Sequence, residues 1–113
     1  MRLHTKVWQI KLDVAKDFEV GLLGRDKLKQ YEGMILLFPH QGFWPIHTMG
    51  LDYPIDVIWL DRNNMVVDMV TLTPDTPGVM NDLPADKAIE LNAGMAKLSG
   101  IRVGEHLTLS NSK

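Results

Sequence analysis

A mainly-β fold is what the chain predicts: a curled antiparallel sheet or small open barrel, with one short helix packed on it and a second helical turn near Gly94–Ser99. Three observations predict it. Trp8, Ile10, Leu12 and Val14 alternate with Gln9, Lys11 and Asp13, the period of two expected of a half-buried strand. Ile55–Leu60 (IDVIWL) is a β-branched and aromatic run closed by Asp61-Arg62-Asn63-Asn64, a turn signal because Asp and Asn side chains bond their own backbone and tolerate left-handed conformations. Strands and helical patterns do not alternate regularly, which argues against a doubly wound parallel sheet.

Taken in order, the first strand gives way at Lys16–Leu28, where Phe18, Leu22, Arg25 and Leu28 recur at three to four residues. That spacing predicts the short amphipathic helix, weakened by Gly21 and Gly24. Two glycines one turn apart also suggest a close neighbouring backbone. Met34–Phe38 is a continuous apolar run and reads as a strand buried on both faces. Pro39–Trp44 reads as an irregular loop. Ile55–Leu60 and Met65–Leu72 form a hairpin across the Asp/Asn turn. Pro74–Asp86, with three prolines and Gly78, reads as a long surface loop. Lys87–Leu91 alternates once more, Gly100 ends the helical turn, and Gly104 sits in a tight turn before a last strand around His106–Leu109. Ser110–Lys113 is expected to fray.

With 113 residues, 45% of them hydrophobic, the chain makes one domain with a real core. It contains no cysteine, which removes disulfides, thiolate catalysis and thiolate metal sites together. Formal net charge is −2, with charges of both signs scattered along the chain. No basic stripe offers to neutralise phosphates, so nucleic-acid binding is disfavoured. No apolar run approaches the roughly 18 residues of a membrane span, and Met1–Asp13 has no signal-peptide core. A non-membrane, cytoplasmic protein is therefore expected.

His47–Leu60 is the segment richest in chemistry. Asp56 shares a strand face with Ile58 and Leu60, so its carboxylate is expected to be enclosed. A buried carboxylate costs several kcal/mol unless donors answer it; backbone N–H groups, Thr48, His47, Arg25 and Lys27 are the candidates. Tying a loop to the strand edge is the plain structural role for Asp56, and anchoring a ligand is the functional one. His47 is a possible base, yet His47-x4-Asp52-x3-Asp56 matches no ligand signature, so no metal and no cofactor is predicted. The serines lie outside any nucleophile elbow. Glu32 and Glu90 are available as partners of Asp56 for acid–base work, at separations one sequence does not reveal. Phe43 and Trp44 sit in a glycine-flanked loop, where they line either a pocket or a partner face.

Several pieces together resemble the domain of unknown function 192 family: Val14-Ala15 leading to Gly21-Leu22-Leu23-Gly24-Arg25 and Leu28, Gly33–Phe38, Ile46-His47-Thr48-Met49, Pro54–Asp61, Ile89–Gly94, and Ile101-x-x-Gly104-Glu105. They span about Leu12 to Leu109. Where many members have a Trp-Met-Lys-Asn-Thr-like stretch, this chain has Trp44-Pro45-Ile46-His47-Thr48, and Leu23 stands where the family has methionine. The resemblance implies a barrel-like β domain with a flanking helix and carries no established activity or cofactor. Many members are exported, which leaves export open here. It marks Arg25, His47, Thr48, Asp56, Glu90 and Gly94 as one polar cluster. The leading expectation is a binding or accessory module, for an unidentified small molecule or protein, using a groove beside His47, Thr48 and Asp56. Arg25, Trp44 and Glu90 complete its candidate set. The alternatives are a small hydrolase or lyase with His47 as base oriented by Asp56, and a structural domain that self-associates through the Trp44 loop.

Overall fold

The computed structural model describes residues 1–111. Its elements are β1 (Arg2–His4), β2 (Gln9–Val14), β3 (Glu32–Gly42), β4 (Ile55–Leu60), β5 (Val66–Leu72), β6 (Ala85–Asn92), α1 (Met95–Leu98) and β7 (Thr108–Ser110). The strands form one sheet in the order β5-β4-β6-β3-β2-β1-β7. The sheet curls until its ends approach each other: Val66 N–H donates to the Glu105 carbonyl and Leu107 N–H to the Asn64 carbonyl, each at 2.9 Å. The molecule is thus a half-barrel, mainly β, with one short helix.

β4 is buried at all six positions because both faces of the sheet are covered. Ile58 and Leu60 face one way, into a core with Leu3, Ile10, Ile35 and Ile89 that α1 closes through Met95 and Ala96. Val57 and Trp59 face the other way, with Met34, Leu36, Phe38 and Ala88. Loops rather than a helix cover this second face. Residues 15–28 and 43–54 lie across it, contributing Leu22, Leu51 and Tyr53 to its core. The wholly buried Trp59 fastens one of these loops, donating from its indole Nε1 to the Trp44 carbonyl at 3.1 Å. Asn81 fastens it again, accepting from Trp44 N–H at 2.9 Å and donating to the Gly42 and Leu83 carbonyls.

Three expectations need correction. Lys16–Leu28 is not a helix. It is a run of turns closed by Gly21 N–H to the Asp17 carbonyl, Leu23 N–H to Val20 and Arg25 N–H to Leu22. Gly21 and Gly24 take φ of 55° and 77°, left-handed values that cannot continue a right-handed helix. Second, the sheet is mixed: β2 pairs with β3 in parallel, while the other neighbours run antiparallel. Third, β3 persists through the expected loop at Pro39–Gly42. The irregularity is a register shift between Leu37, opposite Lys87, and Gly42, opposite Ala85, where Pro39 could not have donated to a ladder. The last strand is observed at Thr108–Ser110, so Ser110 is ordered; Ser112 and Lys113 of the expected frayed tail lie outside the described residues.

Candidate functional site

The sheet sorts the candidate residues onto opposite faces. Asp56 pairs with Leu91, while its neighbour Val57 pairs with Glu90. Paired residues share a face and successive residues alternate, so the two buried carboxyls point away from each other across the sheet.

Asp56, 4% exposed, is fully answered. Its Oδ1 accepts from the Thr71 hydroxyl at 2.6 Å, and its Oδ2 accepts from Gly94 N–H at 3.0 Å and Ala96 N–H at 2.9 Å. Gly94 is the N-cap of α1 and brings no capping side chain of its own. The Asp56 carboxylate supplies that cap from β4, on the same face of the sheet, binding orphan donors at the helix start. A hollow of about 680 Å³ lies over it, lined by Thr71, Gly94, Ala96 and Lys97 among others, but Asp56 has little acceptor capacity left to offer there.

Thr48 is also engaged. Its hydroxyl donates to the Thr73 carbonyl at 2.6 Å and accepts from Thr76 N–H at 2.9 Å, pinning the 73–76 turn. Arg25 is exposed and pairs with Asp13 at 3.0 Å. His47 is exposed, and its Nδ1 accepts from Met49 N–H at 3.1 Å, which leaves the proton of the neutral ring on Nε2. Among the described residues no hydrogen bond joins His47 to Asp56, so the geometry of a base oriented by that acid is missing. His47 lines one cavity and Asp56 another, and Thr48 is in the lining of neither.

Trp44, His47 and Glu90 do come together. They line a cavity of about 340 Å³ with Phe18, Phe38, Leu36, Ile46 and the turn at Glu19–Gly21. Trp44 stacks on Phe38 with ring centroids 5.2 Å apart and planes 14° apart, and Phe18 meets both rings edge-on at 5.4–5.5 Å. The Trp44 indole N–H donates to the His40 carbonyl at 2.9 Å, which sets the ring's orientation.

Glu90 forms the polar part of the wall. It is 3% exposed, and among the described residues its Oε1 has no hydrogen-bond partner. A Cβ on Gly21 would lie 3.1 Å from that oxygen, so the bare glycine turn closes directly over the carboxyl. Burial penalises the charged form and raises the Glu90 pKa from 4.5 to about 7. Tyr53 has a second buried, unpartnered oxygen on the same face. Burial first, and then the nearby Glu90 charge, pushes its phenol up. The site therefore holds a carboxyl able to exchange a proton near neutrality, beside an aromatic wall.

Sequence reasoning overlooked Phe18 and Phe38 as site residues, and it missed Gly21 as the cover. The glycine pair was the available signal, since close approach had been expected there. It is a side chain, Glu90, that approaches Gly21, whereas among the described residues nothing beyond the chain neighbours lies within 4 Å of a Cβ built on Gly24. Among the described residues no three His, Asp or Glu side chains converge to hold a metal. Among the described residues no helix is long and apolar enough to cross a membrane.

Fold and cavity define a small half-barrel domain with a loop-covered aromatic pocket and a buried acid in its wall. The chain belongs to the DUF192 family, described as Uncharacterized ACR, whose model matches residues 2–109. The match starts ahead of the Leu12 at which the recognisable motifs begin. No curated protein matches the chain. Two solved structures share the fold. One, from Sinorhizobium meliloti 1021 and described as a candidate transcription regulator, is 22% identical with a TM-score of 0.79, over 95% of this chain and 89% of the other. The second, a protein of unknown function from Novosphingobium aromaticivorans DSM 12444, is 20% identical with a TM-score of 0.79, over 96% and 82%.

Proposed function

We propose that this domain is a binding module whose ligand is a small organic molecule seated in the cavity over Glu90, between Trp44, Phe18 and His47. The observation that carries this reading is the unanswered Glu90 carboxyl. A buried polar group without a partner costs about 1–3 kcal/mol or more, and folded proteins rarely retain that cost without a use for it. A concave apolar cavity with few convergent polar groups is what small-molecule sites look like, and about 340 Å³ lies at the small end of their range. Asp56 and Thr48, whose oxygens are already committed, serve the fold rather than the ligand in this reading, and neither they nor Arg25 line the cavity. Duplex binding is disfavoured by the net charge of −2 and the lack of a basic run.

The test is a fragment screen by NMR on ¹⁵N-labelled protein. Binders should move the Trp44 indole and Gly21 amide resonances together. Binders that move only Gly94 and Ala96, on the opposite face, overturn the proposal, and so does a library in which none moves Trp44.

A further inference from the structure

We infer that the ligand is an organic ammonium bearing at least one N–H, which donates to the Glu90 carboxylate while its apolar body lies against Trp44 and Phe18. This deepens the pocket reading and rests on it.

The charge of the lining favours a cation. Among the described residues the titratable side chains around the cavity are Glu19, His47 and Glu90, and no Lys or Arg lines it. On the covering loop Arg25 is paired with Asp13, and the Lys27 ammonium stands 5.2 Å above the centre of the Tyr53 ring. A carboxylate ligand would add a further negative charge beside Glu19 and Glu90, with no Lys or Arg in the lining to receive it. A neutral donor would bond Glu90 without compensating its charge. An ammonium does both, and a hydrogen bond with both partners charged is about twice as strong as a neutral one. The requirement for an N–H follows from the Glu90 oxygen that has no donor. Aromatic faces in the wall add attraction for the same cation through their ring quadrupoles. The cavity limits the ligand to the size of a small amine with one ring or a short branched chain.

Proton linkage supplies an independent readout. The other titratable groups lining the cavity with Glu90 are Glu19 and His47, and the Tyr53 phenol lies close enough to feel the Glu90 charge. With Glu90 titrating at about 7, an ammonium selects the ionised form. Its affinity should rise as pH increases toward about 7 and then level off, while the ligand itself stays charged.

Three probes that differ only in the head group test the idea: 2-phenylethylamine, 2-phenylethanol and 3-phenylpropionate, titrated into the intact protein and followed by the Trp44 indole resonance. Above neutral pH the amine should bind roughly ten-fold or more tighter than the alcohol, with the acid weakest. Glu90→Gln should lower amine affinity roughly ten-fold or more and alcohol affinity far less. Its ¹⁵N spectrum, retained outside the pocket, verifies that the variant folds. Alcohol or acid binding at Trp44 as tightly as the amine overturns the ammonium inference and leaves the pocket reading standing. The same holds if the acid strengthens below about pH 7, since a protonated Glu90 donor would then be the anchor. If no probe moves Trp44 while fragments in the screen do, the ammonium inference alone fails. If neither moves it, both fail.

Discussion

Replacing Glu90 by glutamine keeps shape and hydrogen-bonding capacity but removes the ionisable proton, so it isolates the cost of charging this site. In the native protein the carboxyl titrates at about 7, against 4.5 for an ordinary glutamate. The folded state therefore binds the proton more tightly than the unfolded chain does. Stability from this group is complete below about 4.5, falls as pH rises, and is lost once pH passes about 7. At about 1.4 kcal/mol per pH unit, the interval corresponds to roughly 3 kcal/mol. Urea denaturation of both proteins across this pH range should give nearly equal stabilities at the acid end. The variant should lead increasingly toward neutrality, by up to about 3 kcal/mol above it. Taking the difference between the two proteins cancels the titration of the other carboxyls and the histidines. Parallel profiles would refute the reasoning, because they would mean that the Glu90 carboxyl is solvated or paired in the native state.

Four further substitutions have outcomes that follow from their local surroundings. Asp56→Asn disturbs an acceptor set that receives Thr71, Gly94 and Ala96; unfolding free energy should fall by about 2–3 kcal/mol, while probe affinity at Trp44, measured on the folded protein, stays unchanged. Gly24→Ala, at a φ of 77° with open space around it, should cost about 1 kcal/mol in urea denaturation. Gly21→Ala should cost more than Gly24→Ala, because its Cβ also meets the Glu90 oxygen at 3.1 Å, and it should weaken probe binding as well. Trp44→Ala removes the stack on Phe38 and should abolish probe binding in calorimetry, at a stability cost of about 1–3 kcal/mol for a partly exposed ring.

The parts of the fold legible in the sequence were those whose signal is local. Ile55–Leu60 has the same bounds in the chain pattern and in the structure, because a strand covered on both faces writes itself as an unbroken apolar run. The Asp61–Asn64 turn was equally plain, and Asn64 takes the left-handed φ of 62° that its residue type tolerates. β1 was invisible: three residues, of which only Leu3 is buried, owe their conformation to pairing with β2 and β7. The parallel β2–β3 pair was hidden for a related reason, since partner choice is a tertiary property. At Lys16–Leu28 the spacing of Phe18 and Leu22 recorded which side chains turn toward the core, and a string of turns meets that demand as well as a helix does.

The site divides in the same way. Enclosure of Asp56 followed correctly from its apolar neighbours, and backbone N–H groups were among the expected donors; the Thr71 hydroxyl was not. Glu90 is the instructive case. Alternation with Ile89 and Leu91 assigns it to the opposite face, which a sequence reader takes to be wet. It is buried because two non-helical loops, one from upstream of β3 and one preceding β4, fold over that face, and nothing within Lys87–Leu91 records their arrival.

The central claim is that one carboxyl lies buried and unanswered in the wall of an aromatic pocket. Following the Glu90 side-chain carboxyl carbon by ¹³C NMR through a pH titration of the free protein tests it most directly. A midpoint near 7 is predicted, moving downward when 2-phenylethylamine is added. A midpoint at the ordinary glutamate value of about 4.5 would contradict it.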